Sequence, residues 1–296
     1  MAKVALITGA NGITGSAIMD HLTQYTKSDE WSRIVLSSRS PLTLNVTDPR
    51  VEFIALDFTK SPEELVNEMK DVCADVTHAY FCSYVHKDDF KELNKANKSL
   101  FENFLEALLS VAGNLQNCTL QTGGKYYNVH IQPVPSPASE DHARLVAPDE
   151  NFYYHQEDFL ANKQRGNSWT WNVIRPEAIF GYSIKPNGMN EALTLALYFL
   201  ICKECGEEAK MPTNWNFWNG TDDISDARLI ADLSIFASTK PHYANEAFNV
   251  VNGDHICWRY MWPRLANFFG AKASSDQTSP KTVLERTRSL SLQIST

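Results

Sequence analysis

Apolar runs and amphipathic segments alternate along the first 180 residues of the chain. The apolar runs are short and rich in β-branched residues, which is typical of buried strands. They lie at 3–8, 33–39, 51–57, 76–84, 117–123 and 170–176. Segments with helical spacing lie at 15–25, 61–70 and 89–113. This alternation predicts an α/β fold, a doubly wound parallel sheet of the Rossmann type with helices on both faces.

The pattern changes after Pro176, where glycine, proline, tryptophan and asparagine interrupt the chain. It then predicts a helix at 222–238, a strand at 246–253 and a helix at 258–270. We therefore expect a larger region, 1–180, and a smaller one, 181–296. The smaller region returns strand 246–253 to the main sheet and ends in a polar tail, 274–296, that we expect to be loosely attached.

Composition excludes several classes of protein. The formal net charge of −8 argues against nucleic acid as a partner, because phosphate binding needs a basic surface. No stretch approaches the ~18 apolar residues of a membrane helix, and the N-terminal apolar run is only one strand long. Of the six cysteines, Cys202 and Cys205 form one Cys-x-x-Cys, but no second cysteine or histidine pair is nearby in sequence to complete a zinc site. We expect a cytoplasmic protein with no membrane partner and no metal.

Three glycines follow the first predicted strand: Gly9, Gly12 and Gly15 stand in "ITGANGITGSAI", where a helix begins. In dinucleotide-binding folds, the first glycine permits a tight turn. The second lets a pyrophosphate approach the backbone, and the third lets the helix pack on the sheet. Together with Asn11 and Ile13 between them, these glycines are the predicted cofactor-binding turn.

The end of the second predicted strand selects between cofactors. NAD sites usually have a carboxylate there, but this segment reads "LSSRS", with Ser38 followed by Arg39. An arginine can pair with a 2′-phosphate, so the segment favours NADP(H), although Arg39 can also be an ordinary loop cation. Asp57 ends the third strand, where it either faces the adenine or begins a turn. Region 1–180 is therefore the predicted NADP(H)-binding domain.

Short-chain dehydrogenases and reductases combine such a glycine turn with a Tyr-x-x-x-Lys pair, in which the lysine lowers the tyrosine pKa. Here Tyr153 is followed four residues later by Glu157, and Tyr154 by Asp158. We expect those two acids to face solvent or cap the helix. A lysine is available elsewhere, because Lys125 follows the strand that ends near Thr122. The carboxyl ends of parallel strands are where ligands bind in this fold.

Four segments together resemble the progesterone 5β-reductase and iridoid synthase family, an atypical branch of the extended short-chain dehydrogenases. They are "LQTGGKYY", "NFYYHQED", "NVIRPEAIFG" and "NEAFNVVNGD", and the resemblance covers roughly residues 3–270. It implies that Lys125 and Tyr153 are the catalytic pair. Tyr126 departs from the family pattern, which has histidine after the lysine.

The resemblance further implies an NADPH-dependent reductase that acts on an activated carbon–carbon double bond of a hydrophobic small molecule, as in secondary metabolism. Tyr153 would hydrogen-bond the substrate carbonyl, and Lys125 would lower its pKa. Thr122, Pro176 and Ile179 would contact the cofactor, and region 181–296 would bind the substrate. Two alternatives stay open, a carbonyl reductase and a non-redox isomerase or cyclase that retains the NADP(H) fold. A homodimer is compatible with the sequence.

Overall fold

The computed structural model describes residues 2–43, 46–129, 134–147, 150–183 and 190–273. Seven strands in these ranges form one parallel sheet in the order β3-β2-β1-β4-β5-β6-β9. They are β1 Lys3–Thr8, β2 Trp31–Ser38, β3 Val51–Ala55, β4 His78–Phe81, β5 Asn117–Gln121, β6 Thr170–Pro176 and β9 Glu246–Val250. A second, two-stranded parallel sheet pairs β7 (Ala178–Phe180) with β8 (Ile224–Asp226). The predicted α/β doubly wound fold is confirmed.

Helices connect the strands, and local side chains cap the first turns of several of them. The helices are α1 Ile13–Tyr25, α2 Pro62–Met69, α3 Phe90–Val111, α4 Phe152–Gln164, α5 Glu191–Cys205, α6 Trp215–Asn219, α7 Ala227–Ser238 and α8 Trp258–Phe269. At α2, Ser61 and Glu64 form a reciprocal capping box, in which each side chain accepts the other residue's backbone N–H. The sequence expectation of a helix beginning at Ser61 is thereby confirmed.

Adjacent residues of the central strand face opposite layers of the core. On β1, Leu6 belongs to an apolar cluster with Phe101 and Phe104 of α3, whereas Ile7 belongs to a cluster with Leu22 of α1 and Ala231 of α7. Because side chains alternate along a strand, a strand buried on both faces must be apolar at consecutive positions. Both faces of the sheet are therefore covered, and the edge at the carboxyl ends of the strands remains for a site.

The chain forms two compact units. The first runs to Ala192 and also includes Ile224–Asn252, so that it contains the seven-stranded sheet. The second consists of Leu193–Asp223 and the segment from Gly253, and within the described residues it contains α5, α6 and α8. The cofactor-binding and substrate-binding roles predicted for 1–180 and 181–296 stay predictions.

The structure corrects the helix that was predicted at 222–238. The segment 222–238 is not helical throughout, because Ile224–Asp226 pairs with β7 and the helix begins at Ala227. The Asp226 side chain accepts the backbone N–H of Arg228 and so caps the helix at that point. In the described part of the chain, no helix has the length and apolarity that crossing a membrane requires.

Candidate functional site

The turn between β1 and α1 depends on glycine for space. Gly9 has φ +65°, and a Cβ there would lie 2.7 Å from the carbonyl oxygen of Cys82. A Cβ on Gly15 would overlap the carbonyl oxygen of Gly9. Only glycine tolerates both a positive φ and such close backbone contact, so these positions bring α1 directly against the turn. We call Gly9–Gly15 the glycine turn.

The N-terminus of α1 is open toward the carboxyl edge of the sheet. Gly12 is the N-cap of this helix, and no side chain caps its first amides. The Ile13 side chain is buried in the core, so only its backbone can serve a ligand at the turn. Uncapped amides at a helix N-terminus suit the phosphates of a dinucleotide. The predicted positions Gly9, Gly12, Ile13 and Gly15 thus lie together.

Asn11 ties the glycine turn to the loop after β2. Its Nδ2 lies 2.8 Å from the Ser38 hydroxyl and 3.1 Å from the Pro41 carbonyl, and its Oδ1 accepts the Thr43 N–H at 3.2 Å. The Arg39 side chain on this loop is exposed. Asn11 therefore supports the loop's backbone and leaves the arginine accessible to a ligand.

Asp57 follows β3 and begins a turn. Its Oδ1 accepts the backbone N–H of Thr59 at 3.1 Å and the Thr59 hydroxyl at 2.8 Å. Burial works to raise the pKa of Asp57, but the Thr59 hydrogen bonds and the charges of Arg39 and Lys60 outweigh it and lower the pKa. The turn interpretation of Asp57 accounts for these contacts, and its proximity to Arg39 places it at the same end of the sheet.

The two predicted catalytic residues lie at the carboxyl ends of β5 and β6. Lys125 is in a 3-10 turn, Gly124–Tyr127, directly after β5, and Tyr153 is in the first turn of α4. A Cβ built on Gly123 would lie 3.5 Å from the Tyr153 hydroxyl oxygen and 3.4 Å from the Pro176 carbonyl oxygen. The Tyr153 hydroxyl therefore lies beside Gly123 and the end of β6. Among the described residues, no hydrogen bond joins it to the Lys125 ammonium group.

The protonation of Tyr153 differs from the expectation. Burial raises the pKa of the Tyr153 phenol, and the nearby Tyr84 and Glu177 raise it further. The expected lowering by Lys125 is thus wrong for these surroundings, because desolvation of the phenolate dominates. Tyr153 is a neutral phenol at physiological pH, and a neutral phenol donates a hydrogen bond.

Two side chains beside Tyr153 were not predicted from the sequence. Tyr84 follows β4, and burial raises its pKa as well. Glu177 follows β6, and a Cβ on Gly124 would overlap its carboxylate, so the absence of a side chain at Gly124 makes room for it. The sequence could have indicated both residues by their position, since each follows a strand whose carboxyl end lies at this edge of the sheet.

Glu157, which was expected to face solvent or cap the helix, is instead buried in an ion pair. Its side chain is 11% exposed and accepts three hydrogen bonds of 3.0–3.2 Å from the Arg175 guanidinium, which is 3% exposed. The expectation failed because a buried arginine on β6 requires a counterion. Asp158 is half exposed and pairs with Arg144 at 2.8 Å, so its expected solvent position is confirmed.

The same arginine contacts the turn that carries Lys125. The Arg175 guanidinium carbon lies 3.5 Å from the centre of the Tyr126 ring, a cation–π contact. Arg175 Nη1 also donates to the Tyr127 hydroxyl at 3.2 Å, and that hydroxyl donates to Asn249 Oδ1 at 2.6 Å. Tyr126, the departure from the family pattern, is therefore part of the packing that holds the Lys125 turn.

Unpartnered polar atoms show that this edge suits a polar ligand. Among the described residues, the buried hydroxyls of Ser37 and Thr122 have no hydrogen-bond partner. Ser37 is on β2 opposite Thr8 of β1, and Thr122 follows β5. Buried polar groups are nearly always paired, so orphaned hydroxyls at two strand ends indicate where a ligand supplies the partner. Together with the glycine turn, these residues fit a dinucleotide.

Two other predicted contacts contribute packing at this edge. Pro176 is buried and ends β6, with its carbonyl oxygen beside Gly123. Ile179 is partly buried in β7 and packs against the cluster that contains Ile13. Neither side chain offers a polar atom, so any contact of theirs with a cofactor is apolar or made by the backbone.

Three of the cysteines are held as thiols by burial, and the described residues contain no cluster of metal-binding side chains. Burial raises the pKa values of Cys73, Cys82 and Cys118 to about 12, which keeps them as thiols. No group of three or more His, Cys, Asp or Glu side chains within the described ranges is placed to hold a metal ion. Tyr153 and Lys125 stay the predicted catalytic residues.

A parallel sheet with a glycine turn after its first strand and a tyrosine at its carboxyl edge is typical of the short-chain dehydrogenase/reductase superfamily. The model of the PRISE-like Rossmann-fold domain matches residues 5–288. The chain therefore belongs to the PRISE family, the progesterone 5β-reductase and iridoid synthase-like enzymes, which confirms the resemblance. The match continues past residue 270, so the limit expected from the motifs was too early.

Curated relatives agree with this assignment. The chain is 60% identical over 281 residues to the short chain dehydrogenase gsfE of Penicillium aethiopicum, covering 95% of this chain and 74% of that protein. It is 35% identical over 290 residues to the (S)-8-oxocitronellyl enol synthase ISY1 of Nepeta racemosa, covering 96% and 73%. The 3-oxo-Delta(4,5)-steroid 5-beta-reductase of Arabidopsis thaliana is 35% identical over 275 residues, covering 90% and 69%.

Solved structures share the fold at low sequence identity. The Bordetella bronchiseptica enzyme WbmH, solved in complex with NAD+, has a TM-score of 0.68 and 15% identity, covering 96% of this chain and 89% of that chain. At this identity the likeness shows the fold alone. It agrees with the Rossmann-type sheet topology of the chain itself.

Proposed function

We propose that this enzyme is an NADP(H)-dependent reductase that saturates the carbon–carbon double bond of a hydrophobic enone or enal. The observation that carries the proposal is the placement of Tyr153, a neutral phenol beside Gly123 and Pro176 at the carboxyl edge of the sheet. When bound, NADPH supplies the hydride for such a reduction. The chain's own residues have to bind the substrate carbonyl and stabilise the negative charge that develops on its oxygen.

Tyr153 suits that task as a hydrogen-bond donor. When hydride adds to the β-carbon of an enone, negative charge accumulates on the carbonyl oxygen, and a fixed donor at that oxygen lowers the barrier. Because its pKa is raised, the phenol keeps its proton and donates without first having to capture one. We assign Lys125 to the cofactor ribose and to the orientation of Tyr153.

The names of two relatives support reduction at the β-carbon. A 3-oxo-Delta(4,5)-steroid is a conjugated enone, and a 5-beta-reductase adds hydrogen at its β-carbon. An enol is the product expected when such an addition leaves the proton on oxygen, which agrees with the name of the enol synthase. One mechanism with a donor at the carbonyl oxygen accounts for both, and we extend it to this chain.

We propose NADP(H) rather than NAD(H) as the cofactor. The exposed Arg39, on the loop supported by Asn11, is the group that would pair with the 2′-phosphate. Ser38 and the unpartnered Ser37 hydroxyl lie at the same strand end and suit the ribose-phosphate. We also propose a cytoplasmic location and a homodimer.

The experiment is NADPH oxidation with a panel of hydrophobic enals and enones, comparing the parent with Tyr153→Phe. Loss of this hydrogen-bond donor is expected to lower kcat about 10²- to 10³-fold, with NADPH affinity nearly unchanged. Tyr25→Phe, at a 75% exposed tyrosine, is the matched control and should retain full activity.

Three results would contradict parts of the proposal. Equal activity of the Tyr153→Phe variant would exclude Tyr153 as the donor, and a larger loss in Tyr84→Phe would transfer the role to Tyr84. Products with the double bond intact and the carbonyl reduced would identify a carbonyl reductase. A parent enzyme that binds NADPH but converts an enal without oxidising it would be a non-redox isomerase or cyclase.

A further inference from the structure

The side chain of Asn151 connects the two catalytic candidates. Asn151 is the N-cap of α4 and only 4% exposed. Its Oδ1 accepts the backbone N–H of Tyr153 at 3.1 Å. Its Nδ2 donates to the backbone carbonyl of Lys125 at 2.8 Å. One carboxamide therefore holds the backbone of the tyrosine on one side and that of the lysine on the other.

A second asparagine completes this connection. Asn128, fully buried and with a left-handed φ of 63°, accepts from Asn151 Nδ2 at 3.1 Å. Its own Nδ2 donates to the Tyr154 hydroxyl at 2.8 Å, and that hydroxyl donates to the Tyr126 carbonyl at 2.9 Å. We call Asn151, Asn128 and Tyr154 the asparagine bridge. The hydrogen bonds of these side chains join α4 and its N-cap to Lys125, Tyr126 and Asn128.

The bridge provides more than a helix cap. Capping requires only an acceptor for the first amides, and serine, threonine or aspartate supplies one equally well. Among these cap residues, asparagine alone combines an acceptor oxygen with two N–H donors. Both donors of Asn151 point outside the helix, toward the Lys125 turn. Because these groups are buried, each lost partner would leave a polar atom unpaired at a cost in free energy.

We propose that Asn151 is a positioning residue that fixes the Lys125 turn against the helix of Tyr153, with Asn128 as its support. In a Tyr-x-x-x-Lys pair, one helical turn fixes this relation. In this chain, the lysine and the tyrosine lie on separate segments, and the bridge performs the same task through buried amides. The inference rests on the proposed roles of Tyr153 and Lys125.

The first variant is Asn151→Asp. Aspartate has the same shape and still caps the helix, but it has no N–H to donate to Lys125 or Asn128. The matched control is Asn167→Asp at the opposite end of α4, where an exposed amide donates to the Lys163 carbonyl at 2.9 Å. The second variant, Asn128→Gly, keeps the left-handed backbone and removes the side chain. This second variant tests the bridge if the buried aspartate of the first variant prevents folding.

Two measurements are compared. Hydrogen–deuterium exchange of the segment 124–129 should be faster in both bridge variants, while the glycine turn exchanges as in the parent. With an enal substrate, kcat should fall about 10- to 100-fold because the reacting groups lose their alignment. The KM for NADPH should rise as well, because the proposed function also assigns Lys125 to the cofactor ribose. In a Lys125→Met background, Asn151→Asp should cause little further loss, because the group it positions is already absent.

The outcomes separate this inference from the proposed function. Unchanged exchange at 124–129 overturns the bridge. Faster exchange with an unchanged kcat, or a full additional loss in the Lys125→Met background, overturns its positioning role. If the parent never oxidises NADPH with any enal or enone, the proposed function fails, and the exchange experiment alone decides whether the bridge exists.

Discussion

The glycine turn and the tyrosine–lysine end, residues 124–128 with 151–157, lie at the same edge of one sheet and are built in opposite ways. The glycine turn depends on missing side chains, because a Cβ at Gly9 or Gly15 would strike backbone atoms. The tyrosine–lysine end depends on buried side chains, among them the Glu157–Arg175 ion pair. One end is shaped by backbone contact, and the other by polar groups that satisfy one another.

Because of this difference, the two ends tolerate different kinds of substitution. A backbone-shaped turn fails when an atom is added, since packed backbone cannot yield. A polar network fails when a partner is removed, since the remaining group is left buried and unpaired. Two substitutions, one at each end, test this difference against controls at positions without the same constraint.

The largest effect is expected for Glu157→Gln. This change leaves the Arg175 guanidinium buried opposite a neutral amide, and we expect the free energy of unfolding to fall by about 3 kcal/mol. Urea denaturation measures the change. The control is the neighbouring Asp158→Asn, which removes a pair whose side chains are 48% and 29% exposed and should cost less than about 1 kcal/mol. Equal losses in both variants would show that burial does not distinguish the two pairs.

Gly15→Ala tests the glycine turn, which is shaped by backbone contact. Its Cβ would overlap the Gly9 carbonyl oxygen, so we expect a loss of about 1–3 kcal/mol in stability and weaker binding of NADPH. Thermal unfolding and a fluorescence titration measure these effects. Gly113→Ala is the control, because a Cβ at Gly113 meets no atom within 4 Å. A Gly15 variant as stable as the Gly113 variant would contradict the close contact.

Arg39→Ala tests the cofactor preference without changing the shape of the glycine turn. Removing a charged hydrogen bond to the 2′-phosphate should weaken NADPH binding about 10- to 100-fold and leave the affinity for NADH unchanged. Isothermal titration with both cofactors measures the difference. If the two affinities fall together, Arg39 does not contact the phosphate.

The pH dependence is the smallest expected effect and sharpens the description of the tyrosine–lysine end. Because the folded protein raises the pKa of Tyr153 above its ordinary value of 10.0, the phenol keeps its proton throughout neutral and mildly alkaline solution. With Tyr153 as donor, kcat should therefore be nearly flat from about pH 6 to about pH 9. A falling alkaline limb near neutrality that disappears in Tyr153→Phe would show a lowered pKa instead.

Much of the fold could be predicted from the sequence because it depends on local periodicity. The strand pattern of consecutive apolar residues identified each of the seven strands of the sheet, including β9 after a long excursion of the chain. The small sheet of β7 and β8 was missed, since three-residue strands have no readable period. Ile224–Asp226 was absorbed into the helix that follows, although Asp226 is a typical capping residue.

The site was predicted unevenly for the same reason. The glycine turn could be found because its residues are contiguous and its geometry admits only glycine. Lys125 was suggested by its position after a strand, and the family resemblance paired it with Tyr153, since that pairing depends on packing between separate segments. Glu157 was misjudged because a single strand position, Arg175, decides its burial, and an arginine inside the apolar run "TWNVIRP" was the signal that a counterion was needed.

The loop after β2 has a consequence for how cofactor preference can change. Asn11 holds this loop through Ser38, Pro41 and Thr43, while the exposed Arg39 side chain takes no part in that support. In the proposed function, the residue that would pair with the 2′-phosphate is thus separate from the residues that support its loop. Position 39 can therefore be replaced without rebuilding the loop, and we expect a single substitution there to shift the preference between the two nicotinamide cofactors.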